Sequence, residues 1–295
     1  MHANIIGSGI AGPMAAITLR ENGFAVDVWE TRAEQDLHSD GILGVTPDSW
    51  DILQSCGTDA ANRSLKISGH SDLDGLVWTD LHQSLTDRAV SMGARFHYGQ
   101  PFSSRTTDLT VWSTGVGSAK EVTTGHYTGY TIIRGLAYQL TGEAWTEIDG
   151  EEEDGKAWYL MAGDIPTGTS VAMFVPRENP TLHTTYSVEA PKEVASLSLR
   201  WQRLLESVPQ WQIVPMSDWD VPRQMIHKQA GSTPIVRIGD ANGQLRPMTA
   251  MGANLALREA SDVDLLIRHS RDAERRLLAL RQKHHDEGIM FGIKA

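Results

Sequence analysis

Gly7-Ser8-Gly9-Ile10-Ala11-Gly12 follows an apolar run, Ala3-Asn4-Ile5-Ile6, and opens a helical pattern. The run reads as a short buried strand. From Ile10 to Glu21, Ile10, Met14, Ile17 and Thr18 share one helical face. Pro13 falls in the first turn, where its missing N–H costs nothing. Asn22-Gly23 supplies a stop, and Phe24 to Trp29 a second strand, completing a βαβ start. In that setting each glycine has a task. Gly7 permits the tight turn, Gly9 lets backbone approach a pyrophosphate, and Gly12 lets the helix lie close on the strand. The helix N-terminus, with Ile10 and Ala11, offers free N–H groups and a partial positive charge to phosphates. Glu30 lies at the end of the second strand, about twenty residues on, where an acid accepts both ribose hydroxyls. A carboxylate there disfavours a 2′-phosphate, so the site reads as one for FAD or NAD, not NADP.

The chain has 295 residues, enough for one large domain or two closely joined ones. Its 26 basic and 37 acidic residues give a net charge of −11, and no Lys/Arg cluster offsets it. Nucleic acid and anionic membranes are therefore not expected partners. A single cysteine, Cys56, excludes an internal disulfide and a multi-cysteine metal site, and fits a reducing cytoplasm. Residues 1–19 are apolar, but they lack a basic leading region and are interrupted by glycines, unlike a signal peptide. No stretch elsewhere has the uninterrupted apolar length of a membrane helix.

Further along, helices are expected over Thr46–Cys56 and Thr79–Met92, and strands over Arg95–Tyr98 and Leu109–Ser113. Between Thr124 and Pro222 the pattern changes to short β-rich runs, Tyr130–Ile133, Ala157–Met161, Val171–Val175 and Thr184–Val188. These read as a meandering sheet rather than βα alternation. The acidic run Glu147–Asp154 reads as a solvated hairpin tip. A helix is expected from about Ala190 to Val208, a strand over Ile235–Ile238, and helix from Gly252 to about Asp286. The expected architecture is α/β: a Rossmann-type, GR2-like nucleotide domain from residues 1–123 and 223–295, with a mostly antiparallel β-sheet domain, 124–222, inserted.

A second motif ends the late strand. Arg237-Ile238-Gly239-Asp240-Ala241 precedes Arg246-Pro247, then Gly252-Ala253-Asn254-Leu255-Ala256, with Glu259-Ala260 beyond. Asp240 at a strand end can accept from a ribityl hydroxyl. The helix opened by Gly252, Ala253 and Asn254 can present N–H groups to a flavin pyrimidine edge. Two helix N-termini, one per end of a long dianionic cofactor, suit FAD.

With both motifs in place the chain resembles the para-hydroxybenzoate hydroxylase-like (group A) FAD monooxygenases. Their late motif runs Gly-Asp-Ala-Ala-His, Pro, Gly-Gln-Gly-x-Asn, Asp-Ala. Gly239, Asp240, Ala241, Pro247, Gly252, Asn254 and Ala260 match it. Asn242, Gly243, Ala250, Met251 and Glu259 depart. The resemblance implies FAD contacts from Gly7, Gly9, Ile10, Ala11, Gly12, Glu30, Arg32, Phe102, Thr114, Gly115, Gly239, Asp240, Gly252, Ala253 and Asn254. It implies that Gly44 and Val45, in the loop Gly41–Thr46, lie beside the flavin ring, and that Pro247 faces its oxygen-reactive side.

The family's middle Asp-Gly is Thr114-Gly115 here, within Val111–Ser118, a form similar to styrene monooxygenase-type enzymes fed with reduced FAD by a separate reductase. An arginine customary three residues before Leu81 is Trp78. Ser217-Asp218-Trp219-Asp220-Val221-Pro222 partly echoes a halogenase signature but carries one tryptophan only, and reads as structural.

The implied reaction passes through a flavin C4a-hydroperoxide that gives oxygen to an electron-rich aromatic or polycyclic small molecule, in a biosynthetic setting. It needs no side-chain nucleophile. No Ser/His/Asp, Cys/His or metal constellation stands out, and adjacent His284 and His285 point apart. The substrate wall is expected from the inserted sheet. Strand alternation groups Trp158 with Leu160, Met173 with Val175, and Leu182, Thr184 and Tyr186, and Arg134 and His183 are polar candidates. Two other classes remain open: an FAD oxidoreductase or cyclase inserting no oxygen, and a non-catalytic partner protein with this fold.

Overall fold

A computed structural model describes the chain apart from residues 68–72, 104–106, 116–118, 143, 152–154, 179–182, 228–231, 269 and 295. It is an α/β structure with a Rossmann-like, largely parallel sheet and a separate antiparallel sheet. The first sheet starts as the glycine motif requires. Strand β1 (His2–Ile6) leads into helix α1 (Ala11–Glu21), then into β2 (Ala25–Trp29), which pairs parallel to β1.

Strand β3 (Ile42–Val45), helix α2 (Pro47–Ser55), β4 (Leu65–Lys66), β5 (Asp74–Val77) and helix α3 (Trp78–Ser91) follow. Thr46 caps α2, accepting from Ser49 N–H, and Pro47 takes the position where proline lacks nothing. Strands β3, β5 and β4 form a small antiparallel sheet. The segment expected as a flavin-side loop, Gly41–Thr46, is thus mostly strand. Its pairing partners are too short for period-two patterning to register.

Strands β6 (Arg95–His97) and β7 (Leu109–Trp112) and the late β14 (Ile226–His227) and β15 (Ile235–Arg237) complete the first sheet, in the order β14-β15-β7-β1-β2-β6. All neighbours are parallel except β14, which pairs antiparallel to β15. Leu81, Leu85 and Ala89 of α3 join Ile5, Ile17, Val26, Val28 and Val111 in one core.

The second sheet comprises β8 (Gly125–Ala137), β9 (Thr146–Glu151), β10 (Ala157–Ile165), β11 (Gly168–Pro176), β12 (Thr185–Ser187) and β13 (Trp211–Trp219). Its order is β12-β13-β8-β11-β10-β9, antiparallel throughout. Two readings change here. Glu147–Glu151 belongs to edge strand β9 rather than to a hairpin tip, and the rest of that acidic run lies outside the described residues. The expected helix over Ala190–Val208 splits into a 3-10 turn at Lys192–Ser196 and helix α4 (Leu199–Glu206). The chain closes with α5 (Met251–Ser261), α6 (Val263–Arg268) and α7 (Ser270–Lys294). Among the described residues, no helix is long and apolar enough to cross a membrane.

One buried acid joins three strands of the first sheet. Asp27 accepts from His2 Nε2 (2.7 Å), His97 Nε2 (2.7 Å) and both Arg95 Nε (2.9 Å) and Nη2 (2.7 Å). Burial by itself would raise its carboxyl, but the hydrogen bonds from Arg95, His97 and His2 outweigh it and lower the pKa from 3.8 to about 2. The depressed folded value means that this contribution to stability is full above 3.8 and is lost as pH falls through about 2. Asp27→Asn is expected to flatten the fall in urea midpoint across that window. Equal slopes for variant and parent would overturn this assignment.

Candidate functional site

The turn between β1 and α1 shows why glycine is needed at two of the three motif positions, Gly7 and Gly12. Gly7 has φ +101°, and a Cβ there would lie 2.5 Å from Ser113 O. At Gly12 a Cβ would lie 2.2 Å from Gly7 O. Ser113 Oγ donates to Gly7 O (2.8 Å) and Ile6 O (3.1 Å), fastening the end of β7 to the turn. Gly9 differs: a Cβ there would meet nothing within 4 Å. Neither α1 nor α5 has a side-chain cap or an acid in its first turn. Apart from Met251 N–H, which donates to Thr249 Oγ1 (3.4 Å), their leading N–H groups have no partner among the described residues and can face an anionic ligand.

Glu30 is buried and anchored. It accepts from Ser8 N–H (3.0 Å), Arg32 N–H (3.0 Å), Arg32 Nε (3.2 Å) and Arg32 Nη2 (3.2 Å). Burial opposes ionisation, yet the Arg32 side chain and the two backbone donors win and hold the carboxyl below its ordinary value. Phe102 packs edge-on to Trp29, ring centroids 6.1 Å apart, beside this acid. Thr114 is exposed, and Gly115 (φ +75°) borders open space; residues 116–118 lie outside the described set.

The two motifs from opposite ends of the chain meet. Gly239 has φ +61°, and its Cβ would lie 3.1 Å from Ala11 Cβ, so the late turn rests on the start of α1. Arg281 of α7 and Glu259 of α5 hold that turn. Glu259 accepts from Gly239 N–H (2.7 Å) and from Arg281 Nε (3.0 Å), while Arg281 also donates to Gly243 O (2.6 Å) and Gly239 O (2.9 Å). Asp240, next to Gly239, makes no side-chain hydrogen bond or ion pair with the described residues. Lost hydration pushes its carboxyl up, with Arg281 opposing.

Asn254 serves the scaffold. Its Nδ2 donates to Gly44 O (2.8 Å) and Ala250 O (2.6 Å), and its Oδ1 accepts from Thr46 N–H (3.0 Å) and Thr46 Oγ1 (3.1 Å). This staples β3 to the N-terminus of α5. A Cβ on Gly44 would lie 2.9 Å from Ala250 Cβ, so glycine is required for the approach. Val45 is buried in the core and offers no side chain to that wall. Ala250 itself has φ +56°, a left-handed conformation that costs a residue with Cβ about 1–2 kcal/mol. Gly252 and Ala253 follow Met251 in the first turn of α5, and Gly252 faces open space.

The antiparallel sheet contributes one open face. Cross-strand register puts Tyr186, Gln212, Arg134, Ala172 and Met161 in one row, and Val214, Ile132, Phe174 and Tyr159 in the next. This face abuts the nucleotide region at two points. Gly163 lies against Ile42 of β3, where a Cβ would be 2.6 Å from Ile42 Cδ1. Arg246, just before Pro247, donates twice to Asp218 near the end of β13 (2.5 Å each). Between these contacts lie β3, the half-buried Pro247 and the start of α5. Arg134 Nε donates to Gln212 Oε1, and Gln212 Nε2 to Tyr186 Oη (3.3 Å).

The other face is covered. Trp158, Leu160, Met173 and Val175 are buried against Trp201, Leu204 and Leu205 of α4. Trp158 and Met173 therefore do not stand on the open face, contrary to the sequence expectation. Their neighbours Tyr159 and Phe174 project to that side, Tyr159 half-buried and Phe174 buried. Arg134 and Tyr186 are on the open face, His183 is exposed beyond any strand, and Leu182 lies outside the described residues. Sequence reasoning also missed His82 of α3, whose Nε2 lies 2.7 Å from Ser8 O.

Residues 5–35 match the family model of NAD(P)-binding Rossmann-like domains. No curated protein sequence matches the chain. Among solved structures, CtdE in complex with FAD superposes with TM-score 0.80 at 14% identity, over 99% of this chain and 93% of that one. HpxO of Klebsiella pneumoniae, complexed with FAD and uric acid, gives TM-score 0.71 at 19% identity over 98% and 86%. A salicylate hydroxylase substrate complex gives 0.68 at 14% over 99% and 88%. At these identities the likeness is one of fold.

Two substitutions probe this arrangement. Arg281→Met leaves the buried Glu259 without its cationic partner and two carbonyls without their donor, and is expected to cost about 3–5 kcal/mol in denaturant unfolding; a loss below about 1 kcal/mol would show that the pair does not hold the turn. Met173→Ala opens a cavity under α4 and is expected to cost about 2–5 kcal/mol. A neutral result there would return Met173 to the ligand-facing wall.

Proposed function

We propose that the chain is an FAD-dependent monooxygenase acting on an aromatic or polycyclic small molecule. The observation that carries this is the Gly239–Ala11 contact. It seats the Gly239–Asp240 turn on the start of α1, beside the open backbone at Gly9 and against Ala256 of α5, and the Asp240 carboxyl has no hydrogen-bond or ion-pair partner among the described residues. These residues fit FAD. A pyrophosphate suits the α1 N-terminus and Gly9 N–H, ribose hydroxyls suit Glu30, and a ribityl chain suits Asp240. The flavin edge falls to Gly252 and Ala253, with Thr114, Gly115 and Phe102 completing the cradle. FAD-bound structures of the same fold support the reading.

Bound and reduced, FAD supplies the activation of oxygen, which no side chain here provides. The chain's part is to orient and to exclude water. Residues 124–222 act as the substrate domain. Tyr159, Ile132 and Met161 give an apolar floor backed by the buried Phe174, and Arg134, braced by Gln212 and Tyr186, meets a polar or phenolate group. His183 stands at the rim. Pro247 and Gly44 close the flavin side. Trp78 and Thr114 stand where the family carries its arginine and Asp-Gly, which favours reduced FAD delivered by a separate reductase over direct use of NAD(P)H. The free, buried Cys56 suits a reducing compartment, the cytoplasm. The same two departures favour, as a second reading, an FAD enzyme that inserts no oxygen.

Anaerobic titration with oxidised and with reduced FAD, followed by admission of labelled dioxygen with candidate phenols, tests both. The expected outcome is tighter binding of reduced FAD and label in the product. Gly9→Val, which fills the open space, is expected to weaken FAD by at least about tenfold. Binding without label incorporation would favour the second reading. Failure to bind either form of FAD would sink both.

A further inference from the structure

His82 sits behind the phosphate turn, and nothing in the proposed chemistry has used it. It belongs to α3, is buried, and is stacked under Trp78 with ring centroids 4.9 Å apart and planes 7° from parallel. Its Nε2 lies 2.7 Å from Ser8 O. A carbonyl oxygen only accepts, so Nε2 carries the proton and donates. Ser8 is held from its other side as well, because its N–H donates to Glu30 Oε2 at 3.0 Å. No peptide bond in the described structure is cis. In a trans peptide the carbonyl and the following N–H point in opposite directions. With Ser8 O drawn to His82, Gly9 N–H is turned the opposite way, away from His82. At Gly9 the backbone borders open space.

We infer that His82 is a positioning residue for the cofactor's pyrophosphate: by pinning Ser8 O it aims Gly9 N–H at the phosphate oxygens. The inference rests on the FAD reading above. Without the imidazole donor, the 8–9 peptide is free to rotate, and Ser8 O can swing toward the ligand. An acceptor then faces the phosphates where a donor stood, which turns an attraction into a repulsion. Trp78 contributes by covering the imidazole. Its own N–H donates to Gly41 O (2.9 Å), which fixes the start of α3 and with it the ring stacked on His82. At the position where related sequences carry an arginine, this chain has an aromatic lid over a neutral donor. Burial pushes the His82 pKa down, with the Ser8 carbonyl opposing, so the ring stays uncharged near neutral pH. Orientation of backbone dipoles, rather than a side-chain cation, is then what the turn offers the pyrophosphate.

The test compares His82→Gln, His82→Leu and His82→Asn by titration with FAD, followed by quenching of flavin fluorescence, with thermal unfolding measured on each. Glutamine reproduces a donor at the reach of Nε2, whereas leucine has none and asparagine is too short. The expected result is a Kd within about threefold of the parent for His82→Gln, and a rise of about tenfold to a hundredfold for the other two. Riboflavin, which lacks the pyrophosphate, should bind all four proteins alike. If His82→Leu fails to fold, His82→Asn carries the comparison. Parent-like FAD affinity in both leucine and asparagine variants would overturn the inference and leave the FAD reading standing. Equal weakening in all three variants would also overturn it, since volume alone would then matter. A parent protein that binds no FAD, oxidised or reduced, would overturn the FAD reading and this inference together.

Discussion

The structure turns on a contact between backbones that no side chain may enter. Gly7 lies against the Ser113–Thr114 backbone, and Gly12 against Gly7 O, at distances where a single methyl group cannot fit. That contact fixes how the end of β7 sits beside the β1–α1 turn, and Ser113 Oγ locks it. Because β7 also pairs with β15, the strand from the far end of the chain is placed by the same contact. Gly239 then settles on Ala11. A site assembled from residues more than two hundred positions apart thus rests on the absence of two Cβ atoms.

What the sequence made legible was the chemistry of backbone. Gly7 makes the tight turn and Gly12 the close packing that their spacing assigns, and Glu30 sits at the strand end. These residues act through geometry that local sequence dictates. Asn254 was legible as a motif residue but not in its role. Its amide is consumed by β3, a partner two hundred residues away in sequence, and no local pattern announces that pairing.

The antiparallel sheet shows where patterning stops. Alternation correctly separates Trp158, Leu160, Met173 and Val175 from Tyr159, Met161 and Phe174. It does not say which set a helix will cover, because both sets are apolar. The decision lies in α4, whose Trp201, Leu204 and Leu205 demand burial and take the first set. His82 was hidden for a related reason. Its helix spacing from Trp78 is visible, yet its worth comes from a carbonyl in a distant turn. Residues that act on backbone groups elsewhere in the chain carry no signature of their own.

Strand β9 has a consequence of a different kind. Among the described residues it is the edge of the antiparallel sheet, the position that invites another chain to add a strand. Its exposed residues are Glu147, Asp149 and Glu151, three acids at every second position. A second copy docking edge to edge would bring the same three charges alongside, and the two rows would repel. Like charges so placed disfavour edge-to-edge pairing of two copies. Exchanging those acids for threonine would preserve the strand while removing its protection.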